Sequence, residues 1–117
     1  MTVYVDDMRA SYGRMVMCHM IADTEDELHA MGEAIGVARR WHQKPGTPRS
    51  HYDIALSKRA RAVLLGALEI TWRQTGAMTA RRGVVGDLGS PDEAIAWQRA
   101  FVAERRATAS VGGHDAD

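Results

Sequence analysis

Four of the five histidines, His19, His29, His42 and His51, fall between positions 19 and 51, with carboxylates beside them at Asp23, Glu25, Asp26, Glu27 and Asp53. Imidazole exchanges protons near neutral pH and ligates metals, so this half of the chain is where chemistry is expected. Two His–Asp pairs stand out. Side chains on a strand alternate faces, so His19 shares a face with Asp23 one step past the expected strand end. His51 and Asp53 are two apart and point the same way if extended. His51-x-Asp53 can ligate one ion, or the carboxylate can orient the imidazole. If the two pairs meet, His19, Asp23, His51 and Asp53 form a His₂Asp₂ cluster suited to zinc or manganese. His19, His51 and Asp53 are then the candidate catalytic groups. The alternative is a core His19, a helix-capping Asp23 and a loop-anchoring His51.

Other residues extend or limit this site. Arg39 and Arg40 are the candidate phosphate-binding residues, because a guanidinium pairs with phosphate in a bidentate manner. On an extended segment only one of the two would face the site. Ser57-Lys58-Arg59 is read as a helix opening with a positive dipole end. Asp6-Asp7 closes the first strand as a candidate cation pair or as a solvated strand end. His29, on the first helix next to its buried stripe, is expected to be a surface or boundary histidine, and His42 to lie either in the site or in an exposed loop. Cys18 faces away from His19 in an apolar run and is read as an inert core thiol. Trp41 and Trp72 lie near bases and could stack on a nucleobase. No glycine-rich phosphate loop accompanies them.

The 117 residues are enough for one domain, and 45% hydrophobic with 26% charged residues is ordinary globular composition. The single cysteine excludes an intramolecular disulfide and a multi-thiolate zinc site. No apolar run is long enough to span a bilayer, and no signal segment is seen, so a cytoplasmic protein without membrane association is expected. The formal charge is zero but segregated. Residues 1–36 carry seven acids against two arginines, residues 37–82 ten bases against two acids, and residues 83–117 six acids against three bases. Such a basic middle can bind phosphate-bearing ligands, unless the oppositely charged segments neutralise one another in the fold.

The elements that must position these residues read as an alternation. Residues 2–6 form a strand, 8–13 a loop and 14–22 a buried central strand. Thr24-Glu25-Asp26-Glu27 opens a helix as a capping box, with Leu28, Met31 and Ile35 as its stripe, Gly32 for close packing and Gly36 as its stop. Residues 37–42 are extended, 43–50 a loop and 51–56 extended or turn-like. A basic helix capped by Ser57 buries Ala60, Val63, Leu64 and Ala67. Residues 68–72 form a strand. Residues 74–85 are ambiguous, a loop around at most a short helix. Ser90-Pro91-Asp92-Glu93 starts a last helix to about Arg106, burying Ala94, Ile95, Phe101 and Val102. The expected fold is one α/β domain over residues 1–106, with a mostly parallel or mixed central sheet and about three helices. A flexible tail, residues 107–117, carries His114.

Val3-Tyr4-Val5-Asp6-Asp7, Cys18-His19-Met20-Ile21-Ala22-Asp23, Glu27-Leu28-His29, Gly36, Arg39-Arg40 and His51-Tyr52-Asp53 together resemble a family of small phage and actinobacterial proteins catalogued as a domain of unknown function, number 4031. The likeness covers residues 2–73, with a longer loop at 44–50. It implies a small α/β domain of prokaryotic or phage origin and no particular activity.

Two function classes follow. The first is a metal- or phosphate-binding enzyme, in the manner of a hydrolase, acting on a nucleotide or phosphoester, with a phosphate-bearing small molecule or nucleic acid as partner. The second is a non-enzymatic interaction module with structural histidines that binds a host protein. Either could be a homodimer. A concave pocket at His19, His51 and Asp53 favours the first, and a flat apolar patch the second.

Overall fold

A computed structural model describes residues 2–115, with side chains through Ala109. The side chain of His114 and the end of the expected tail lie outside the described residues. The elements in order are β1 (Val3–Val5), β2 (Ala10–Tyr12), β3 (Met15–Ala22), α1 (Glu25–Ala34), a 3-10 turn (Arg39–Trp41), β4 (His42–Gln43), β5 (His51–Ala55), α2 (Leu56–Leu64), β6 (Leu68–Glu69), α3 (Trp72–Val85) and α4 (Pro91–Asp115). The class is α/β, with a mixed six-stranded sheet and four helices rather than three among the described residues.

The strand order is β4-β5-β3-β1-β6, with β2 pairing β3 beside β1. Only β1 and β6 run parallel; every other pairing is antiparallel. Two cores sandwich the sheet. Val5, Met20, Tyr52 and Ile54 pack with Leu28 and Ile35 of the α1 region and Ala62 of α2. Tyr4 and Ile21 pack on the other face with Ala77 and Met78 of α3 and Ala94 of α4. Alternation along β3 therefore sends His19 and Ile21 to the α3 side and Cys18 and Met20, both buried, to the α1 side.

Local signals were sound where polar caps announced an element. Thr24 caps α1 and accepts from the Glu27 amide at 3.2 Å. Ser90 Oγ accepts from the Glu93 amide at 3.2 Å to open α4. Gly32 sits against Tyr52, whose ring carbon would be 3.4 Å from an added Cβ, so the expected close packing is real.

Four expectations are corrected. Residues 39–41 make a 3-10 turn, not an extended segment. The basic helix leaves β5 directly, with Ala55 at the N-cap and no side-chain cap, so Ser57 lies inside the helix. This shift turns Ala62 inward and leaves Leu64 85% exposed. Residues 72–85 form a full helix despite Gly76 and Gly83, because Thr71 and Gln74 make a reciprocal capping box. The last helix continues through Asp115 rather than ending near Arg106. Its Val102 is exposed instead of buried.

Candidate metal centre

The sheet register builds the site. In the β3–β5 ladder His19 lies directly opposite Asp53. His51 is two residues before Asp53 and reaches the same α3-side face. The His19 and His51 rings meet edge to face at 5.1 Å. Asp53 Oδ1 lies 3.4 Å from His51 Nε2 and 3.8 Å from His19 Nε2. One ligand atom from each of the three residues falls within 4.8 Å of the others. Ligands around a tetrahedral ion with bonds of about 2.0–2.1 Å stand about 3.3 Å apart, so small side-chain shifts would close this set on one ion.

The protonation of both rings follows from their outer partners. His51 Nδ1 lies 2.7 Å from the Arg49 carbonyl oxygen, which can only accept, so Nδ1 carries the hydrogen. His19 Nδ1 lies 2.8 Å from Asp6 Oδ2 and donates to that carboxylate. In the neutral rings both Nε2 atoms then present lone pairs toward the Asp53 carboxylate. Three electron-rich atoms converge where a cation, proton or metal would neutralise them. Carboxylate-to-histidine contacts behind the ligating nitrogen are the usual arrangement that fixes a metal ligand's tautomer and raises its basicity.

Asp6 is fully buried, and its position explains this tether. The β1 strand ends at Val5, and the Asp6 amide still donates to the His19 carbonyl at 3.0 Å. The chain then leaves β3 until β2 begins, and the Asp6 side chain replaces the missing ladder. Its Oδ1 accepts from the amides of His19 at 2.8 Å and Met8 at 3.1 Å, and its Oδ2 accepts from His19 Nδ1 and from Thr75 Oγ1 at 2.9 Å. Burial pushes its pKa up, but the hydrogen bonds from His19, Met8 and Thr75 outweigh it and leave the pKa lowered. The Asp6 hydrogen bond raises the pKa of His19, opposed by burial and by the Arg49 charge and reinforced by the charges of Asp6 and Asp53. A hydrogen bond from His51 in its doubly protonated form is the main cause that lowers the pKa of Asp53, against burial, with the charges of His51 and His19 adding attraction.

Of the residues singled out from sequence, His19, His51 and Asp53 come together. Asp23 does not. It sits at the far end of β3, where Oδ2 accepts from the Thr2 amide at 2.9 Å. Four residues of strand span about 13 Å, so a shared face is not a shared place. Asp6 and Asp7 are not a cation pair either: Asp7 Oδ1 accepts from the Trp72 amide at 2.8 Å and so caps α3. Arg40 lines a cavity of about 740 Å³ together with His19 and Asp53, whereas Arg39 does not line it. Arg59 is engaged within the chain rather than turned to an anion at the helix end. Arg59 Nε donates to the Asp6 carbonyl at 2.7 Å, and its guanidinium pairs with Glu69 at 2.9 Å.

His29 and His42 lie on the opposite side of the sheet. His29 is buried rather than at a boundary, with Nδ1 2.8 Å from the Tyr52 hydroxyl. His42 Nε2 lies 2.7 Å from Ser50 Oγ, and its ring stacks on Tyr52 at 5.3 Å. Cys18 is buried on that side, as expected. Thr75 and Arg49 were missed. The Thr71-x-x-Gln74 capping box was the signal that would have placed Thr75 in a helix. Nothing in the sequence marks Arg49 as a neighbour of His19.

A sequence model of a family described as a protein of unknown function, DUF4031, matches residues 3–82. Nothing in the match bears on a phage or actinobacterial source. No curated protein and no solved structure matches the chain. Among the described residues, no helix is long and apolar enough to cross a membrane.

Proposed function

This chain belongs to the DUF4031 family, and we propose that it is a divalent-metal protein that hydrolyses phosphoesters. The carrying observation is the convergence of His19 Nε2, His51 Nε2 and Asp53 Oδ1, with both imidazoles held from behind by hydrogen-bond acceptors. Three protein ligands are typical of a catalytic zinc or manganese site that keeps a position for water or substrate. An ion held by His19, His51 and Asp53 would lower the pKa of a water molecule and polarise a phosphoryl oxygen. The net reaction would add the water's hydroxyl to phosphorus and break the ester P–O bond, with the water's other hydrogen ending on the leaving alcohol. His19 and Asp53 also line the cavity, so the ion would face a space large enough for a substrate. Arg40, which lines the same cavity, would hold a second phosphate oxygen.

The test is hydrolysis of p-nitrophenyl phosphate and bis-p-nitrophenyl phosphate by protein stripped with a chelator and then reloaded with zinc or manganese. Activity should vanish on stripping, return with one equivalent of metal and be lost in Asp53→Ala. Turnover that is indifferent to chelation, or absent with every metal, contradicts the proposal.

A further inference from the structure

The wall of the cavity beyond the candidate ligands is mostly apolar, and its rim is the unusual part. Met8, Tyr12, Met15 and Trp41 are 47%, 71%, 48% and 55% exposed, and all four border this one cavity. Large apolar side chains left in water around a concave site mark a surface that something covers. Tyr12 and Met15 face each other across the β2–β3 hairpin, and Trp41 comes from the 3-10 turn opposite. Arg40 precedes Trp41, and its guanidinium lies 5.3 Å over the indole ring, so one turn delivers a cation and an aromatic face to the same mouth.

These side chains have a common chemical preference. Thioethers and indoles pack on flat π-systems, and successive aromatic platforms are how proteins hold bases without reading their edges. Apart from Arg40 and the candidate ligands, Ser11 and Gln43 are the main hydrogen-bonding side chains of the lining, so a sugar alone would find few partners here. Resting on the metal reading for its phosphate half, we infer that the cavity takes a nucleotide. The base is held among Trp41, Tyr12 and Met15, and the phosphate is placed between Arg40 and the ion held by His19, His51 and Asp53.

Calorimetric titration of the zinc-loaded protein with adenosine 5′-monophosphate, adenosine, ribose 5-phosphate and inorganic phosphate tests this. Stacking contributes about 1–3 kcal/mol per base, so the nucleotide should bind roughly 5- to 150-fold tighter than ribose 5-phosphate. Trp41→Ala should erase that ratio without changing zinc affinity, and Met15→Ala should reduce it. Both positions are exposed, so neither change should unfold the protein. Arg40→Gln should weaken nucleotide and ribose 5-phosphate alike and leave adenosine unaffected. Equal affinity for nucleotide and ribose 5-phosphate, no binding of either, or a ratio that survives Trp41→Ala overturns the inference. Repeating the adenosine titration without metal separates the two readings. Adenosine binding that depends on Trp41 in a protein that takes no zinc upholds the base site and refutes the metal centre. Zinc binding without any base preference does the reverse.

Discussion

The sheet carries two histidine pairs, one on each face, and they are built to opposite ends. On the α3 side, His19 and His51 are anchored through Nδ1 to a carboxylate and a carbonyl, and their free nitrogens meet the half-exposed Asp53 at a cavity wall. On the α1 side, His29 and His42 are 4.6 Å apart edge to face, and each is bonded to a neutral hydroxyl, Tyr52 or Ser50. The hydrogen bond from His19 to Asp6, with the charges of Asp6 and Asp53, outweighs burial and the Arg49 charge, and the pKa of His19 is raised. For His42 the balance runs the other way: burial and the neighbouring His29, against the attraction of Glu25, leave its pKa lowered. Tyr52 separates the sets by a single step along β5, pointing away from its neighbours His51 and Asp53. The same residue type thus joins a candidate metal centre on one face and packs against neutral hydroxyls on the other, and the partners set the difference.

The largest way to break this contrast is at Asp6. Asp6→Ala removes the acceptor of four hydrogen bonds in a fully buried setting, and breaking a buried pair costs about 3–5 kcal/mol. Urea unfolding should show a loss of that order. Asp6→Asn, which keeps the volume, should fold better yet weaken metal affinity by about 10- to 100-fold, the usual effect of disturbing a ligand's outer partner. An Asp6→Asn protein with wild-type metal affinity would mean that the tether is only structural.

On the packing face the expected effect is smaller and confined to stability. Tyr52→Phe strands His29 Nδ1 without a partner, at a cost of about 1–3 kcal/mol. Denaturant unfolding should register it, and metal titration should not change. A drop in metal affinity would show that the two faces are coupled.

The contrast is sharpened most finely by pH. The raised pKa of His19 contributes stability that is fully present below its ordinary 6.5 and is lost as pH rises through the raised folded value. His42 acts in reverse: with its folded pKa below 6.5, the unfolded chain takes up the proton more readily, so stability falls as pH drops below that value. The lowered pKa of Asp6 adds stability above about 3.8 that is lost as pH falls through its folded value. Unfolding free energies measured from pH 5 to 9 should flatten on the alkaline side in His19→Gln and on the acidic side in His42→Gln. Unchanged curves in both variants would remove the electrostatic half of the comparison.

What could be read in advance was what short spacings carry. Alternation placed His19 opposite Cys18 in facing, the His51–Asp53 spacing held, and Thr24 and Ser90 announced their helices. Asp23 misled because alternation reports a face and not a distance along it. The role of Asp6 depends on the antiparallel pairing of β1 with β3, a long-range register with no local signature. Residues 72–85 were obscured by two glycines that argued against a helix, although the capping box at Thr71 and Gln74 argued for one. Arg40 joined the cavity through a 3-10 turn where extended chain was expected, so only its charge was legible and not its direction.

On the proposed reading His19, His51 and Asp53 hold a metal ion and His29 and His42 do not. Titration of the chelator-stripped protein with zinc or manganese at pH 7.5, followed by calorimetry and by elemental analysis of the desalted product, tests it most directly. One equivalent should bind to the wild-type chain and to His42→Gln, and binding should be lost in His51→Ala and Asp53→Ala proteins that circular dichroism shows to be folded. No binding to the wild-type chain, binding that survives both ligand substitutions, or binding lost in His42→Gln would contradict the account.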